Sequence, residues 1–351
     1  MGMKKHLLTA VQLLITIALL WWIFRDPQQN EKLLTALKQA NLWWFAPGLA
    51  ALAGGLLLQA QRWIVLLKVQ GIIINYWRAL RLILIGMFFN LFLIGSTGGD
   101  IIKIFLIMKE APQKKTGALL SVFIDRVIGV IALAAVSAVV IVLRWDDLMK
   151  HDVTRYGVGV ASLILGGSFG FITVAWMVGH WNLTSKLPQW LPLREKIAEA
   201  AGAFTEYAKD GRSIGMAFLL SLPAHLLIFS TFYFGAKAFG AGLGLLSICC
   251  VMPIVATVTA LPISVGGAGL REGLFIKILG ALYATTEPIA TLISLSGFMI
   301  SVFWSLIGGA LYLFYRSTNH DLANLADMAK TVDSLEARME NNLDQGRPIK
   351  D

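Results

Sequence analysis

The sequence Leu261-Pro262-Ile263-Ser264-Val265-Gly266-Gly267-Ala268-Gly269-Leu270-Arg271 interrupts an otherwise apolar run from 245 to 283. A second interruption, Leu93-Ile94-Gly95-Ser96-Thr97-Gly98-Gly99-Asp100-Ile101-Ile102-Lys103, breaks the apolar run 82–108 in the same manner. Both carry the pattern S-x-G-G-x-x-x-[K/R], offset by 168 residues in a chain of 351, and both have a lysine six residues after that cation, Lys109 or Lys277, directly preceded by three apolar residues. A glycine pair alone says little, because glycine is frequent in membrane helices. The serine, the pair and the cation recurring in register say more. Neither run divides into two spans of about 20 residues with a loop between them. Each is therefore expected to enter and leave a membrane on one side, as a helical hairpin broken near its tip.

Composition supplies the membrane. The chain is 57% hydrophobic and 15% charged, with a mean hydropathy of +0.70, whereas soluble proteins carry about 25% charged residues. That excludes a disordered chain, a nucleic-acid module and an ordinary soluble enzyme. Full-length apolar runs lie at 7–24, 43–61, 117–143, 157–179, 214–236 and 289–315. The first follows Lys4 and Lys5 and lacks a small-residue cleavage site, so it is expected to stay attached as a transmembrane helix. Cationic loops favour the cytoplasm. If 82–95 crossed outright, Lys103, Lys109, Lys114 and Lys115 would lie opposite Arg62, Lys68, Arg78 and Arg81. With two hairpins of opposite orientation, 20 of the 30 Lys and Arg fall on the cytoplasmic side and 7 outside, with Arg126, Arg271 and Lys277 intramembrane. The expected fold is an all-α polytopic membrane protein of about six transmembrane helices plus two re-entrant helical hairpins related as inverted repeats. It comprises a membrane domain over 1–316, with repeat-like halves at 43–143 and 214–315, and a cytoplasmic helical tail over 317–351. Both termini are expected in the cytoplasm of a bacterial-type inner membrane.

Smaller features fit this frame. Trp21, Trp22, Trp43 and Trp44 fall at expected membrane edges, where an indole buries its ring and keeps its N–H wet. Segments 28–41 and 194–210 have the pattern of amphipathic surface helices. In the tail, Leu325, Met328, Val332, Leu335 and Met339 form a stripe of about two heptads, which suits a helix on the cytoplasmic face or a homo-oligomer contact.

Backbone accounting points to a site. Non-helical backbone at membrane depth is tolerated only against protein or a water-filled cavity. A helix restarting after Gly-Gly offers free N–H groups and a positive dipole end to an anion. Paired, inverted, glycine-broken segments mark transporter binding sites, and tight packing at small residues is the alternative reading.

Four segments together resemble a known family: Gln61-Arg62-Trp63, Ser96-Thr97-Gly98-Gly99-Asp100, Phe123-Ile124-Asp125-Arg126-Val127-Ile128-Gly129 and the stretch 261–273. They are similar to the membrane region of lysylphosphatidylglycerol synthases, the flippase-like family, over about residues 5–316. The resemblance implies a polytopic protein that moves lipids between leaflets. Its bifunctional members add a soluble transferase domain. Only 35 residues follow Arg316, so aminoacyl transfer is not expected here and the bifunctional members' substrate does not carry over.

The candidate substrate-binding set is Ser96, Gly98, Gly99, Asp100, Lys103, Asp125, Arg126, Ser264, Gly266, Gly267, Arg271 and Glu272. Intramembrane charges are costly and default to function. A lipid phosphate is expected near Ser264, Gly266, Gly267 and Arg271, assisted by Arg126, with Asp100 or Asp125 receiving a cationic headgroup or a proton. Asp100 is expected to cap the N–H groups of its own half-helix, which leaves those of the second hairpin free. A purely structural Asp–Arg network, such as Asp100 with Arg126, is the competing reading. Glu272 is expected to pair with Lys277 or in the surroundings of Arg271, and His225 to be a core histidine on a backbone carbonyl or a proton relay. Adjacent Cys249 and Cys250 offer no disulfide framework or zinc spacing. No P-loop, H-E-x-x-H, C-x-x-C or nucleophile elbow occurs, so neither a cofactor nor catalysis is expected. The partners expected are a membrane phospholipid or lipid-linked substrate, a second copy of the chain, or a lipid synthase or glycosyltransferase, with no nucleic acid. A non-transporting lipid-binding subunit and a membrane-embedded headgroup transferase remain as alternatives.

Overall fold

The computed structural model describes residues 14–92, 98–160, 205–259 and 264–318, with isolated positions between 162 and 202, and every regular element among the described residues is helical. Ten of the described helices frame the molecule. They are α1 (Leu14–Phe24), α2 (Pro27–Lys38), α3 (Phe45–Val69), α4 (Tyr76–Phe92), α5 (Gly98–Glu110), α6 (Lys115–Leu143), α7 (Gly211–Ala238), α8 (Leu245–Thr259), α9 (Leu270–Tyr283) and α10 (Glu287–Thr318). Four of them, α3, α6, α7 and α10, lie in segments long and apolar enough to cross a membrane. The sequence breaks separate shorter helices of 17 and 13 residues, α4 and α5, and of 15 and 14 residues, α8 and α9. At about 1.5 Å per residue none of these four reaches across the roughly 30 Å hydrocarbon layer.

Side-chain contacts fix the directions. Gly48 of α3 faces Phe234 of α7, Gly55 faces Ala224 and Ile228, and Arg62 bonds Ser221, so α3 and α7 run antiparallel. Gly117 of α6 meets Gln70, and Ser121 meets Trp63, so α6 also runs opposite to α3. One end of the bundle therefore gathers the end of α3 and the starts of α6 and α7. The α4–α5 pair opens at this same end: Arg78 Nε lies 2.5 Å from Glu110 Oε1, and Lys114 Nζ donates to Gly71 O at 2.8 Å. The opposite end gathers the start of α3 and the end of α7, joined by Asn41 N donating to Ala238 O at 2.8 Å. There the α8–α9 pair opens, with Cys250 and Tyr283 beside Arg144 just past α6. The two broken pairs thus enter from opposite ends.

Two main core clusters form, one completed by Ile300 and Tyr312 of α10 and the other by Ile141 of α6. Trp63, Leu67, Leu82, Ile85, Leu106 and Ile107 pack among α3, α4 and α5, while Phe229, Ile248, Phe275, Ile278 and Ile293 pack among α7 to α10. Glycine permits the closest approach: a Cβ at Gly99 would lie 1.9 Å from the carbonyl oxygen of Gly86, so α5 rests backbone-to-backbone on α4. Outside, α2 starts on Asp26, whose Oδ1 accepts from Gln28 N at 3.0 Å, with Pro27 in its first turn. It buries no residue and leaves Leu34 and Leu37 exposed, as a surface helix over 28–41 should. Trp21, Trp22, Trp43 and Trp44 are exposed at helix ends.

The structure corrects one boundary. The apolar run expected to end at 61 continues as helix to Val69, because Trp63, Ile64, Leu66 and Leu67 carry the buried face onward past Arg62. Arg62 and Lys103, which the loop count placed in the cytoplasm, are both buried inside the protein. Lys277 lies on the exposed side of α9. The first half of the 7–24 span, most of 157–179, the greater part of 194–210 and the tail beyond 318 lie outside the described residues.

Candidate functional site

Burying Arg62 and Lys103 demands a counter-charge, because an unpaired ion in a low-dielectric interior costs several kcal/mol. Asp125, one helical face away on α6, supplies it to both. Its Oδ1 accepts from Arg62 Nε at 2.7 Å and its Oδ2 from Lys103 Nζ at 3.2 Å. Further polar contacts extend the group. Arg62 Nη1 donates to Ser221 Oγ on α7 at 3.0 Å, and the Lys103 ammonium lies 3.9 Å from the centre of the Trp63 ring. Trp63 Nε1 donates in turn to Ser121 Oγ at 3.2 Å. One carboxylate thereby ties α3 and α5 to α6, and Arg62 extends the tie to α7. A desolvated cation over an indole face is itself favourable, by about 2 kcal/mol.

The next residue faces elsewhere. Arg126 makes a two-pronged pair with Asp100 in the first turn of α5, Nε to Oδ2 and Nη2 to Oδ1, each at 2.7 Å. Its side chain is 54% exposed, on a face of α6 shared with Leu119, Phe123 and Val130. Asp125 and Arg126 do not pair with each other, as their 100° separation on a helix predicts. The combined group holds three cations against two carboxylates.

Asp100 is not the cap of its own half-helix. Gly99 N instead donates to Asn90 Oδ1 on α4 at 2.8 Å. That satisfies one of the orphan N–H groups which every helix start leaves and frees Asp100 for Arg126. The second hairpin corrects the expected asymmetry as well. Glu272 Oε2 accepts from Gly269 N at 2.7 Å, so an internal carboxylate occupies part of the helix start that was expected to be open. Its Oε1 takes Arg271 Nη2 at 2.6 Å, Arg271 Nε at 3.0 Å and Ser294 Oγ of α10 at 2.8 Å. Glu272 therefore pairs with Arg271 itself and not with Lys277, because both side chains bend toward Ser294. The Arg271 guanidinium also lies 4.7 Å from the centre of the Phe298 ring.

One polar group at this tip remains unsatisfied. Ser264 is 8% exposed, and its Oγ is buried with no hydrogen-bond partner. It opens a tight turn in which Gly266, Gly267 and Gly269 all take positive φ, at 59°, 75° and 79°. Only glycine adopts three such conformations so close together at low cost. Buried polar atoms without partners are rare and call for an explanation.

Of the candidate set, Lys103 and Asp125 meet directly, Asp100 meets Arg126, and Arg271 meets Glu272. Arg126 and Arg271 are not brought together, each being held by its own carboxylate. Gly98 opens α5, and Ser96 lies outside the described residues. His225 Nε2 sits 3.0 Å from Gly129 O, the arrangement of a satisfied core histidine. Sequence reasoning missed Arg62 as part of the polar group, along with its partners Ser221 and Ser121, and Ser294 beneath Arg271. Arg62 had a legible signal, since apolar residues resume immediately after it. The serines had none. Among the described residues no three His, Cys, Asp or Glu side chains come together as a metal-binding group. Cys249 and Cys250 are buried free thiols.

Residues 9–309 match the family described as the lysylphosphatidylglycerol synthase TM region. The chain belongs to this family. The match covers all of the helical framework up to the last turns of α10, including both broken pairs and the Arg62–Asp125–Lys103 group. No curated protein and no solved structure matches the chain. With four helices long and apolar enough to span, this member of the lysylphosphatidylglycerol synthase TM family is a multi-pass membrane protein.

Proposed function

We propose that the protein translocates a phospholipid or a lipid-linked headgroup between the leaflets of a bacterial-type cytoplasmic membrane, binding the headgroup phosphate at the tip of the second broken pair. In this reading α4–α5 and α8–α9 are re-entrant hairpins of inverted orientation, and both termini are cytoplasmic. The observation that carries the reading is the Ser264 hydroxyl, buried without a partner at the turn that leads into the positive end of α9. A phosphate oxygen would accept the hydrogen bond that this hydroxyl has no partner for. Opposite entry of the two pairs supports the inverted arrangement, which is the pattern of secondary transporters. Arg271 stands in the first turn of α9 and spends Nε and Nη2 on Glu272 and Ser294, leaving Nη1 to face a ligand.

The closure of Arg271 on Glu272 also favours a second reading, a lipid-binding subunit of a cell-envelope synthase that does not alternate. Proteoliposomes with a headgroup-labelled lipid separate the two. Ser264→Ala is expected to slow translocation about tenfold, the equivalent of 1.4 kcal/mol, without lowering the melting temperature. Removing an unsatisfied buried hydroxyl relieves a desolvation cost of about 1–3 kcal/mol, so slower transport with equal or greater stability is the signature of a binding group. Unchanged translocation would remove Ser264 from the site. Lipid binding with no translocation by the wild-type protein would establish the subunit reading.

A further inference from the structure

A separate cavity of about 250 Å³ opens where α1, α2, α9 and α10 meet, at the end of the bundle where α8–α9 enters. Trp22, Ile23, Leu33 and Ile276 form its apolar wall, and Arg25, Asp26, Gln29 and Glu287 supply its charged and polar groups. None of these residues belongs to the groups around Asp125 or Arg271. The polar lining is short of donors. Gln29 Nε2 donates to Glu287 Oε2 at 3.4 Å, which fixes the amide orientation, since the reverse would set two acceptors face to face. Gln29 Oε1 is then a buried acceptor with no donor. Asp26 meets Gln28 N through Oδ1. Arg25 is turned onto the Trp21 ring, 5.8 Å from its centre, and neutralises neither carboxylate.

Two carboxylates and an orphan amide oxygen, beside an indole and with one arginine at the rim, fit a primary ammonium next to a phosphate. We propose that this cavity binds the zwitterionic headgroup of an ammonium-bearing phospholipid. The ammonium donates to Glu287, Asp26 and Gln29 Oε1, and the phosphate meets Arg25. The exposed Trp22 in its lining, next to the exposed Trp21 on α1, places it at headgroup level. The volume admits a headgroup and falls below the roughly 300–1,000 Å³ of sites that enclose larger ligands. The site stands independently of the translocation reading, because it requires binding alone.

The test titrates short-chain phosphatidylethanolamine, short-chain phosphatidylcholine and soluble phosphoethanolamine into the full chain in detergent, read by Trp fluorescence and calorimetry. Saturable phosphatidylethanolamine binding is expected, with phosphatidylcholine at least about tenfold weaker because a quaternary ammonium has no N–H for Gln29. Glu287→Gln and Asp26→Asn should each weaken phosphatidylethanolamine about tenfold, the scale of one charge-assisted hydrogen bond. Asparagine caps a helix as well as aspartate, so Asp26→Asn should leave helix content and melting temperature unchanged. Competition by phosphoethanolamine assigns recognition to the headgroup alone. Its failure to compete while the lipid binds assigns recognition to the membrane-borne form, and both results uphold the site. Equal binding of the two lipids, or binding indifferent to both variants, overturns it. Because Ser264→Ala leaves this cavity intact, loss of translocation in that variant with phosphatidylethanolamine binding preserved separates the two sites.

Discussion

Asp125 holds the buried polar group together, and Asp125→Asn tests that directly. The substitution keeps volume and removes charge, leaving Arg62 and Lys103 facing an amide in place of the carboxylate that now sits 2.7 and 3.2 Å away, with all three side chains only 8% exposed. Removing one partner of a buried ion pair costs about 3–5 kcal/mol. Two pairs are broken here, but they share one carboxylate and do not add in full. Arg62 keeps Ser221, and Lys103 keeps the Trp63 face. The expected loss is therefore about 5 kcal/mol, near the top of the single-pair range. Denaturant unfolding in mixed micelles, followed by tryptophan emission, measures it. The triple replacement Arg62→Leu, Lys103→Met, Asp125→Leu exchanges the ions for apolar side chains and is expected to recover most of the loss, because such replacements are often neutral or stabilising. Either of two results refutes the reasoning: Asp125→Asn within about 1 kcal/mol of wild type, or a triple variant no more stable than the single one. A stable triple variant that fails to move lipid would show that the charges serve transport as well as packing.

Gly99→Ala places a methyl group 1.9 Å from the carbonyl oxygen of Gly86, backbone that cannot step aside as a side chain can. It should cost about 1–3 kcal/mol or more by overpacking, whereas Gly273→Ala, with open space at its Cβ, should be neutral or gain up to about 1 kcal/mol of helix propensity. Melting curves of the two variants check both. Asp210 caps α7, and hydrogen bonds from the Ser213 hydroxyl and then its backbone N–H hold its carboxyl below the usual carboxylate range. Its contribution is present above the unfolded value of about 4 and is lost as pH falls through the lowered folded value. Asp210→Asn keeps the cap and should flatten that part of the acid side of the stability–pH profile, which melting temperatures across acidic pH will show.

The two broken pairs were legible because their signal is chemical and local: a serine, two glycines and a cation cannot continue an apolar helix unchanged. Their opposite entry was expected from counting lysines and arginines, and side-chain contacts set the two pairs at opposite ends of the bundle although Arg62 and Lys103 are not loop residues. The count tolerated those errors because both residues lie toward the end of the bundle to which they had been assigned. Partner choice was much less legible. Arg271 and Glu272 point 100° apart at their Cα atoms, yet flexible side chains converge on Ser294, a residue 22 positions beyond Glu272 whose hydroxyl carries no pattern in sequence. Asn90 likewise displaced Asp100 as the cap of α5, because an amide on the neighbouring helix reaches Gly99 N while Asp100 turns to Arg126. Which acid serves which donor is decided by tertiary geometry, and spacing along one helix does not record it.

Although the two pairs share a sequence pattern, they are fastened differently. Moving α5 away from α6 must separate Lys103 from Asp125 and Asp100 from Arg126, two ion pairs that join different helices. Moving α9 away from α10 leaves Arg271 and Glu272 together, since both ride on the same helix, and of their polar and ring contacts gives up the bonds to one serine hydroxyl and the contact with the Phe298 ring. In mechanical terms the first half is pinned across its joints, and the second carries its charges as self-contained cargo. The displacement that costs least in electrostatic work therefore belongs to the second half.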